Sequence, residues 1–267
     1  MTPASPSTAE AEAFETGFGR VSLVDEGPPD GRPWVLVHGI PGSARDFRWF
    51  TPALRLAAPS DRIVRLEMPG FGATPLQTEP DPSVEARARY VCEVVGALHL
   101  ERPILVGHSM GGVVGTMAAT LHPERFAGLA LVSSPGLSAH RGLRAFPAKR
   151  LAWILGWPGV ARLLRTRLRA GFERAGFRGH DDAVLQHTVR CVAALDIDAH
   201  AARLEGLRAL GVPTHQSYGI DDPLIEVDIF EALAKVVDVS LRFDSGGHNP
   251  QKAFAIELAE ALVSWQQ

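Results

Sequence analysis

Apolar residues in this chain come in two rhythms. Short continuous runs, PWVLVHG at 33–39, DRIVRLEMPGFG at 61–72, PILVGHS at 103–109 and FAGLALVSSPG at 126–136, each end in a glycine-bearing turn. Runs of that length, rich in Val, Leu and Ile and without alternation, predict strands buried on both faces. Between them lie longer stretches with a helical period. SVEARARYVCEVVGALHL, 83–100, sets Val84, Ala88, Val91, Val95 and Leu98 on one stripe with charges mostly opposite, which predicts an amphipathic helix. Residues 110–121 are small and apolar almost all round, as a helix pressed against a sheet would be. GRVSLVDEG precedes these elements as a hairpin-type strand. VPTHQSYG (212–219) and VSLRFDSG (239–246) follow as two more strands, and a last helix is expected from about Pro250, where proline suits a first turn.

Strand and helix in alternation predict a parallel sheet with helices on its faces. The alternation stops between 137 and 205, where the chain is helical and rich in arginine, so 137–205 reads as an inserted helical cap. The core then takes 14–136 and 206–267. Residues 1–13 are small, polar and acidic, with no apolar periodicity, and read as a flexible tail. One α/β domain with an insertion suits a chain of 267 residues, of which 46% are hydrophobic and 21% charged.

A net charge of -3 gives no general attraction for nucleic-acid phosphates, and no nucleic-acid partner is expected. Charge is nevertheless uneven. Arg141 to Arg178 carries ten basic residues and one acid, Glu173, a local net of +9. Its first reading is a solvated helix face whose arginine stems cover apolar surface. Its second is a patch for an anionic substrate or an acidic membrane surface, with Phe146, Trp153 and Trp157 as apolar contacts.

Cys92 and Cys191 are too few for a disulfide framework and are not spaced as a metal or redox pair, so both read as small buried side chains. The N-terminus lacks the basic start and apolar run of a secretion signal, and no stretch is apolar enough to span a bilayer; the cytoplasm is the expected location. His180, His187 and His200, with Asp181, Asp182, Asp196 and Asp198 nearby, match no recognised metal-ligand spacing and read as exposed helix surface.

The chemistry gathers where strands end, since ligands of a parallel α/β sheet bind beyond the strands' carboxyl ends. HGIPG, GHSMGG, GIDDP and GGHNP all follow predicted strands. GHSMGG fits G-x-S-x-G, a strand-to-helix turn that exposes a serine hydroxyl, here that of Ser109. A hydroxyl is a weak nucleophile at neutral pH and needs a base; His248 of GGHNP is placed to be that base. GIDDP supplies a carboxylate, Asp222 or Asp221, to orient the imidazole. His38 and His108 read as structural groups fixing their loops.

With these four loops in this order, the chain resembles the α/β-hydrolase superfamily over nearly its whole length after the tail. The resemblance implies the α/β-hydrolase fold, a mostly parallel central sheet with helices on both faces and an inserted cap. It favours Asp222, three residues after Gly219 and followed by Pro223, Leu224 and Ile225; Asp221 would then cap a helix. It makes the backbone N–H groups of Ile40 and Met110 the oxyanion hole, and it gives MPGFG a structural role, although Glu67 stands where many members carry aspartate. Members with aspartate at the elbow, the epoxide hydrolases and haloalkane dehalogenases, are excluded by Ser109. The implied activity is cofactor-independent and metal-independent hydrolysis of a small carboxylic ester with an apolar portion, through an acyl-enzyme. Rival readings are a lactonase, a hydrolase for carbon–carbon bonds of ring-cleavage diketones, and, from another class, a small-molecule receptor or signalling protein that retains the triad.

Overall fold

The continuous apolar runs become the middle of an eight-stranded sheet. A computed structural model describes residues 5–76, 81–174 and 177–266. The strands are β1 (Glu12–Thr16), β2 (Gly19–Glu26), β3 (Pro33–Val37), β4 (Arg62–Glu67), β5 (Ile104–His108), β6 (Gly128–Val132), β7 (Thr214–Gly219) and β8 (Val239–Phe243). They lie in the order β1-β2-β4-β3-β5-β6-β7-β8. β2 pairs antiparallel with β1 and β4, and all other pairings are parallel.

Strand alternation divides the core between the two faces of this sheet. Trp34, Leu36, Ile63, Ile104 and Val106 point to one side, where they meet Phe50 and Leu54 of α1 (Phe50–Ala57) and the C-terminal helix. Val35, Val37, Val64, Leu66 and Leu105 point to the other, against α2 (Val84–Ala97) and α3 (Met110–Leu121). Full burial of side chains of this size contributes about 1.5–3 kcal/mol each. The predicted helix at 83–100 starts where the Ser83 hydroxyl accepts the Ala86 N–H at 3.1 Å, an N-cap that satisfies one of the first turn's free donors.

Between β6 and β7 the chain forms α4 (Arg141–Ala145), α5 (Ala148–Leu155), α6 (Pro158–Arg174), α7 (Asp182–Ala193) and α8 (Ile197–Gly206). Leu155, Ala161, Phe172, Leu185 and Val189 give the cap a small core of its own. After β7 follow α9 (Val227–Leu233), α10 (Pro250–Ala253) and α11 (Ala255–Trp265). The helix expected from Pro250 is thus two helices, broken at Phe254.

Two expectations need correction. β1 begins within the stretch read as a tail, and upstream of it the Ser7 N–H reaches the Arg48 carbonyl at 2.7 Å. EAFET is an edge strand that packs only Phe14 onto the core, so it carries no apolar run. His187 and His200 are buried, not surface groups. His200 Nε2 donates to the Pro135 carbonyl at 3.0 Å, while the His187 ring packs 5.2 Å from that of Phe71 and brings Nε2 to 3.4 Å from Cys191 Sγ. Their acidic neighbours Asp181 and Asp196 are N-caps, accepting the Val184 and Ala199 N–H groups at 2.8 and 3.0 Å. Among the described residues no group of three His, Cys, Asp or Glu side chains could hold a metal ion. Both cysteines are buried and free, and among the described residues no helix is long and apolar enough to cross a membrane.

Candidate active site

Four loops meet at the carboxyl end of β3, β5, β7 and β8. The first is the turn from β5 into α3, where Ser109 has φ 52° and ψ -124°, a left-handed conformation costly for any residue with a Cβ. It is held on three sides: its N–H donates to the Val132 carbonyl at 2.9 Å, and its carbonyl accepts from the Gly112 N–H and the Ser134 hydroxyl, both at 3.0 Å. The flanking glycines serve close approach. A Cβ at Gly107 would lie 2.4 Å from Gly112 Cα, and one at Gly111 2.1 Å from the Val37 carbonyl oxygen. Ser109 occupies the N-cap position of α3, yet its hydroxyl makes no capping bond and is left for other chemistry.

His248 stands in the loop after β8, with Nδ1 2.7 Å from Asp222 Oδ2. The Asp222 side chain has no exposed surface. Its other oxygen accepts the Leu224 and Ile225 N–H groups at 2.8 and 3.1 Å. Burial by itself would raise the Asp222 pKa, but the hydrogen bond and charge of His248, with the two backbone donors, outweigh it and hold the carboxyl below its ordinary range. An ionised Asp222 fixes the proton on Nδ1, so the neutral imidazole presents Nε2 as a proton acceptor.

Asp221 does not cap a helix as expected; its Oδ1 accepts the Gly247 N–H at 2.7 Å and ties down the backbone immediately before His248. On the other side, His108 Nε2 donates to the His248 carbonyl at 2.8 Å, the two rings lying 5.0 Å apart. Burial, reinforced by the neighbouring His248, pushes His108 down to about 3. His38 is likewise neutral, pushed down to about 4 by burial; its Nδ1 donates to the Gly39 carbonyl at 2.6 Å and its Nε2 accepts the Met68 N–H at 3.1 Å. Both histidines act as loop ties, in keeping with their sequence reading.

The HGIPG loop lies directly against the elbow, since a Cβ at Gly39 would sit 3.0 Å from Ser109 Cβ. Among the described residues neither the Ile40 nor the Met110 N–H donates to a protein acceptor. Met110 opens α3, whose first turn carries the partial positive charge of the helix. Two free donors beside a serine can accept a developing oxyanion.

Sequence reading missed the support of this loop. Glu67, at the end of β4, accepts the Ala44 N–H through Oε1 at 3.1 Å and the Ala73 N–H through Oε2 at 2.7 Å, joining HGIPG to MPGFG. Arg65 donates to the Ala44 carbonyl at 3.3 Å, and Asp46 Oδ2 accepts the Ser43 N–H at 3.3 Å. An acid at a strand end followed by two glycine turns was the available signal. The cap meets the same region through His140, whose Nδ1 donates to the Leu224 carbonyl at 2.9 Å, beside the backbone that holds Asp222.

Comparison with known proteins matches this architecture. A model described as "Alpha/beta hydrolase family" matches residues 34–261. The chain is 29% identical over 234 residues to a protein of Variovorax paradoxus named "Putative carbamate hydrolase RutD", covering 83% of this chain and 86% of that one. It is 25% identical over 229 residues to the 2-hydroxy-6-oxo-6-(2'-aminophenyl)hexa-2,4-dienoic acid hydrolase of Metapseudomonas resinovorans, covering 79% and 74%. Among solved structures, an alpha/beta hydrolase fold protein from Burkholderia ambifaria superposes with a TM-score of 0.75 at 20% identity, over 97% of this chain and 100% of that one.

Proposed function

Because the chain belongs to the alpha/beta hydrolase family, we propose that it is a serine hydrolase that cleaves a carboxylic ester through an acyl-enzyme. The supporting observation is the buried, ionised Asp222 bonded to His248 Nδ1, which leaves Nε2 free to take a proton. Ser109 Oγ attacks the ester carbonyl as His248 removes its proton, and the carbonyl oxygen takes the negative charge. The Ile40 and Met110 N–H groups stabilise that oxyanion. Collapse of the tetrahedral intermediate breaks the bond to the alcohol oxygen, which leaves with the proton from His248. Water, deprotonated by His248, then attacks the acyl-enzyme; its collapse releases the acid and returns the proton to Ser109. Throughout, Asp222 orients and stabilises the imidazolium. In this reading 14–136 and 206–267, with β1 extending the core to Glu12, form the catalytic core, and 137–205 is the cap that closes over an apolar acyl or alcohol portion.

A second reading is favoured by a specific relative. The Metapseudomonas resinovorans protein is named as a hydrolase of a hexadienoic acid, and the same donor pair and base would serve attack on a diketone carbonyl. Another relative is named a putative carbamate hydrolase, and a carbamate differs from an ester in carrying nitrogen on its carbonyl. A panel of p-nitrophenyl esters of graded length, lactones, carbamates and vinylogous diketones separates these, run beside labelling with an organophosphonate probe. The expected result is fastest turnover on esters and a covalent adduct on Ser109 that Ser109→Ala abolishes without unfolding. Equal labelling of the variant would overturn the nucleophile. Very slow turnover of the whole panel, with ligand-dependent binding to another protein, would make the chain a receptor.

A further inference from the structure

The arginine stems of the cap do not cover its apolar surface. Trp153, Trp157 and Leu163 are 69%, 59% and 79% exposed, and the two indoles stand edge to face with ring centres 6.1 Å apart at the corner between α5 and α6. On α6, at 100° per residue, Leu163, Arg174, Arg167 and Val160 fall within an arc of about 60°, well away from the buried Ala161 and Phe172. The acids lie on another flank: Glu173 is about 80° round from Leu163, and Asp182 is spent on Arg169, itself about 120° round. One flank of a 17-residue helix therefore combines uncovered apolar side chains with unopposed arginines, in a segment of net charge +9.

The two halves of this surface ask for different things. Leu163 and the indole rings gain from leaving water, whereas the guanidinium groups gain from phosphate or carboxylate and cannot follow them into a hydrophobic interior. The headgroup boundary of an anionic bilayer supplies both at once, with acyl carbon at one depth and lipid phosphate a few ångströms above it. Indoles favour that boundary, having an apolar body and one polar N–H. A protein partner would need an acidic rim around an apolar pocket, and the chain's own Asp182 next to α6 is already turned to Arg169.

We propose that the Trp153–Trp157 corner and the Leu163 flank of α6 dock the cap on an anionic lipid surface. This goes beyond the ester reading and is read without turnover, so either can fail alone. The test is co-sedimentation of the full chain with phosphatidylcholine vesicles, with and without about 30 mol% phosphatidylglycerol, at about 50 mM and about 500 mM NaCl. Expected is partitioning at least about tenfold stronger to the anionic vesicles at low salt, a blue shift of tryptophan emission, and loss of both at high salt. W153S/W157S/L163S should lose at least about tenfold in partitioning while keeping the wild-type circular dichroism spectrum and Ser109 labelling. R167E/R174E should do the same, whereas R162E/R165E, an equal charge change off the flank, should keep most of the binding. Equal loss from the two reversals would reduce the effect to net charge and overturn the docking face. No preference for phosphatidylglycerol would overturn it too, as would a dimer in sedimentation velocity that L163S dissociates without any vesicle binding.

Discussion

Lowering the pH from 7.5 to 5.0 perturbs the folded state through its buried histidines, five of which hold loops or fill the core. His38, His187, His200 and His215 are pushed down to about 4 and His108 to about 3, with burial the leading cause in every case. In the unfolded chain each titrates near 6.5. The folded state therefore keeps them neutral while the unfolded chain gains protons; their stability is fully present above pH 6.5 and is lost as pH falls towards 4. At pH 5.0 each costs about 2 kcal/mol relative to pH 7.5, roughly 10 kcal/mol for the five. Asp46, raised to about 6 by burial, works the other way and returns on the order of 1 kcal/mol over the same interval. The remainder, roughly 9 kcal/mol, is comparable with the whole stability of an ordinary domain. Urea unfolding followed by circular dichroism at pH steps between these limits should show the midpoint falling steeply. His215→Gln sharpens the test: this residue packs on Trp265 at 5.5 Å, outside the site loops, and burial alone lowers its pKa. The variant should lose about 2 kcal/mol less than wild type between pH 7.5 and 5.0, whatever its stability at either end. A free energy flat to within about 2 kcal/mol, or an unchanged slope in the variant, would refute the reasoning.

Other outcomes follow from single contacts. Asp222→Asn turns an amide donor towards His248 Nδ1 and imposes the wrong tautomer, so kcat in an ester assay should fall by about 10⁴ with folding retained. Asp221→Ala removes only the tie to Gly247 and should cost far less, about tenfold, with KM little changed. Gly111→Ala places a carbon 2.1 Å from the Val37 carbonyl, and thermal unfolding should report a loss of about 2 kcal/mol or more. Glu67→Gln puts an amide donor opposite the Ala44 or Ala73 N–H; it should cost about 1–3 kcal/mol and slow Ser109 labelling.

The strands and loops at the centre were legible because their physics is local. PWVLV and ILVGH can only be strands buried on both sides, and the glycines of GHSMGG announce a turn whose neighbours lie too close for side chains. The apolar stripe over 83–100 is local in the same way, and Ser83 caps the helix that carries it. The rest depended on context. β7, expected as a strand, is polar in sequence yet fully buried, because Thr214 reaches Asp238 and Gln216 reaches both the Phe230 carbonyl and Ser240. Spacing in the cap could show that its histidines match no metal motif, but not that α7 and α8 turn His187 and His200 inward. Asp221 and Asp222 are adjacent and chemically identical; the register from Gly219 separates them, while the bond from Gly247 to Asp221 exists only once the β7 and β8 loops close on each other.

The elbow also divides what can change from what cannot. Positions 107 and 111 are closed to even one added carbon, because neighbouring backbone already fills the space. Position 109 has paid the strain of its backbone for any residue that carries a Cβ, and its side chain takes no part in capping the helix behind it. A different reactive group could stand there without disturbing the sheet, the helix or the donors of the HGIPG loop. The frame therefore fixes its glycines but not the side chain that it presents at 109.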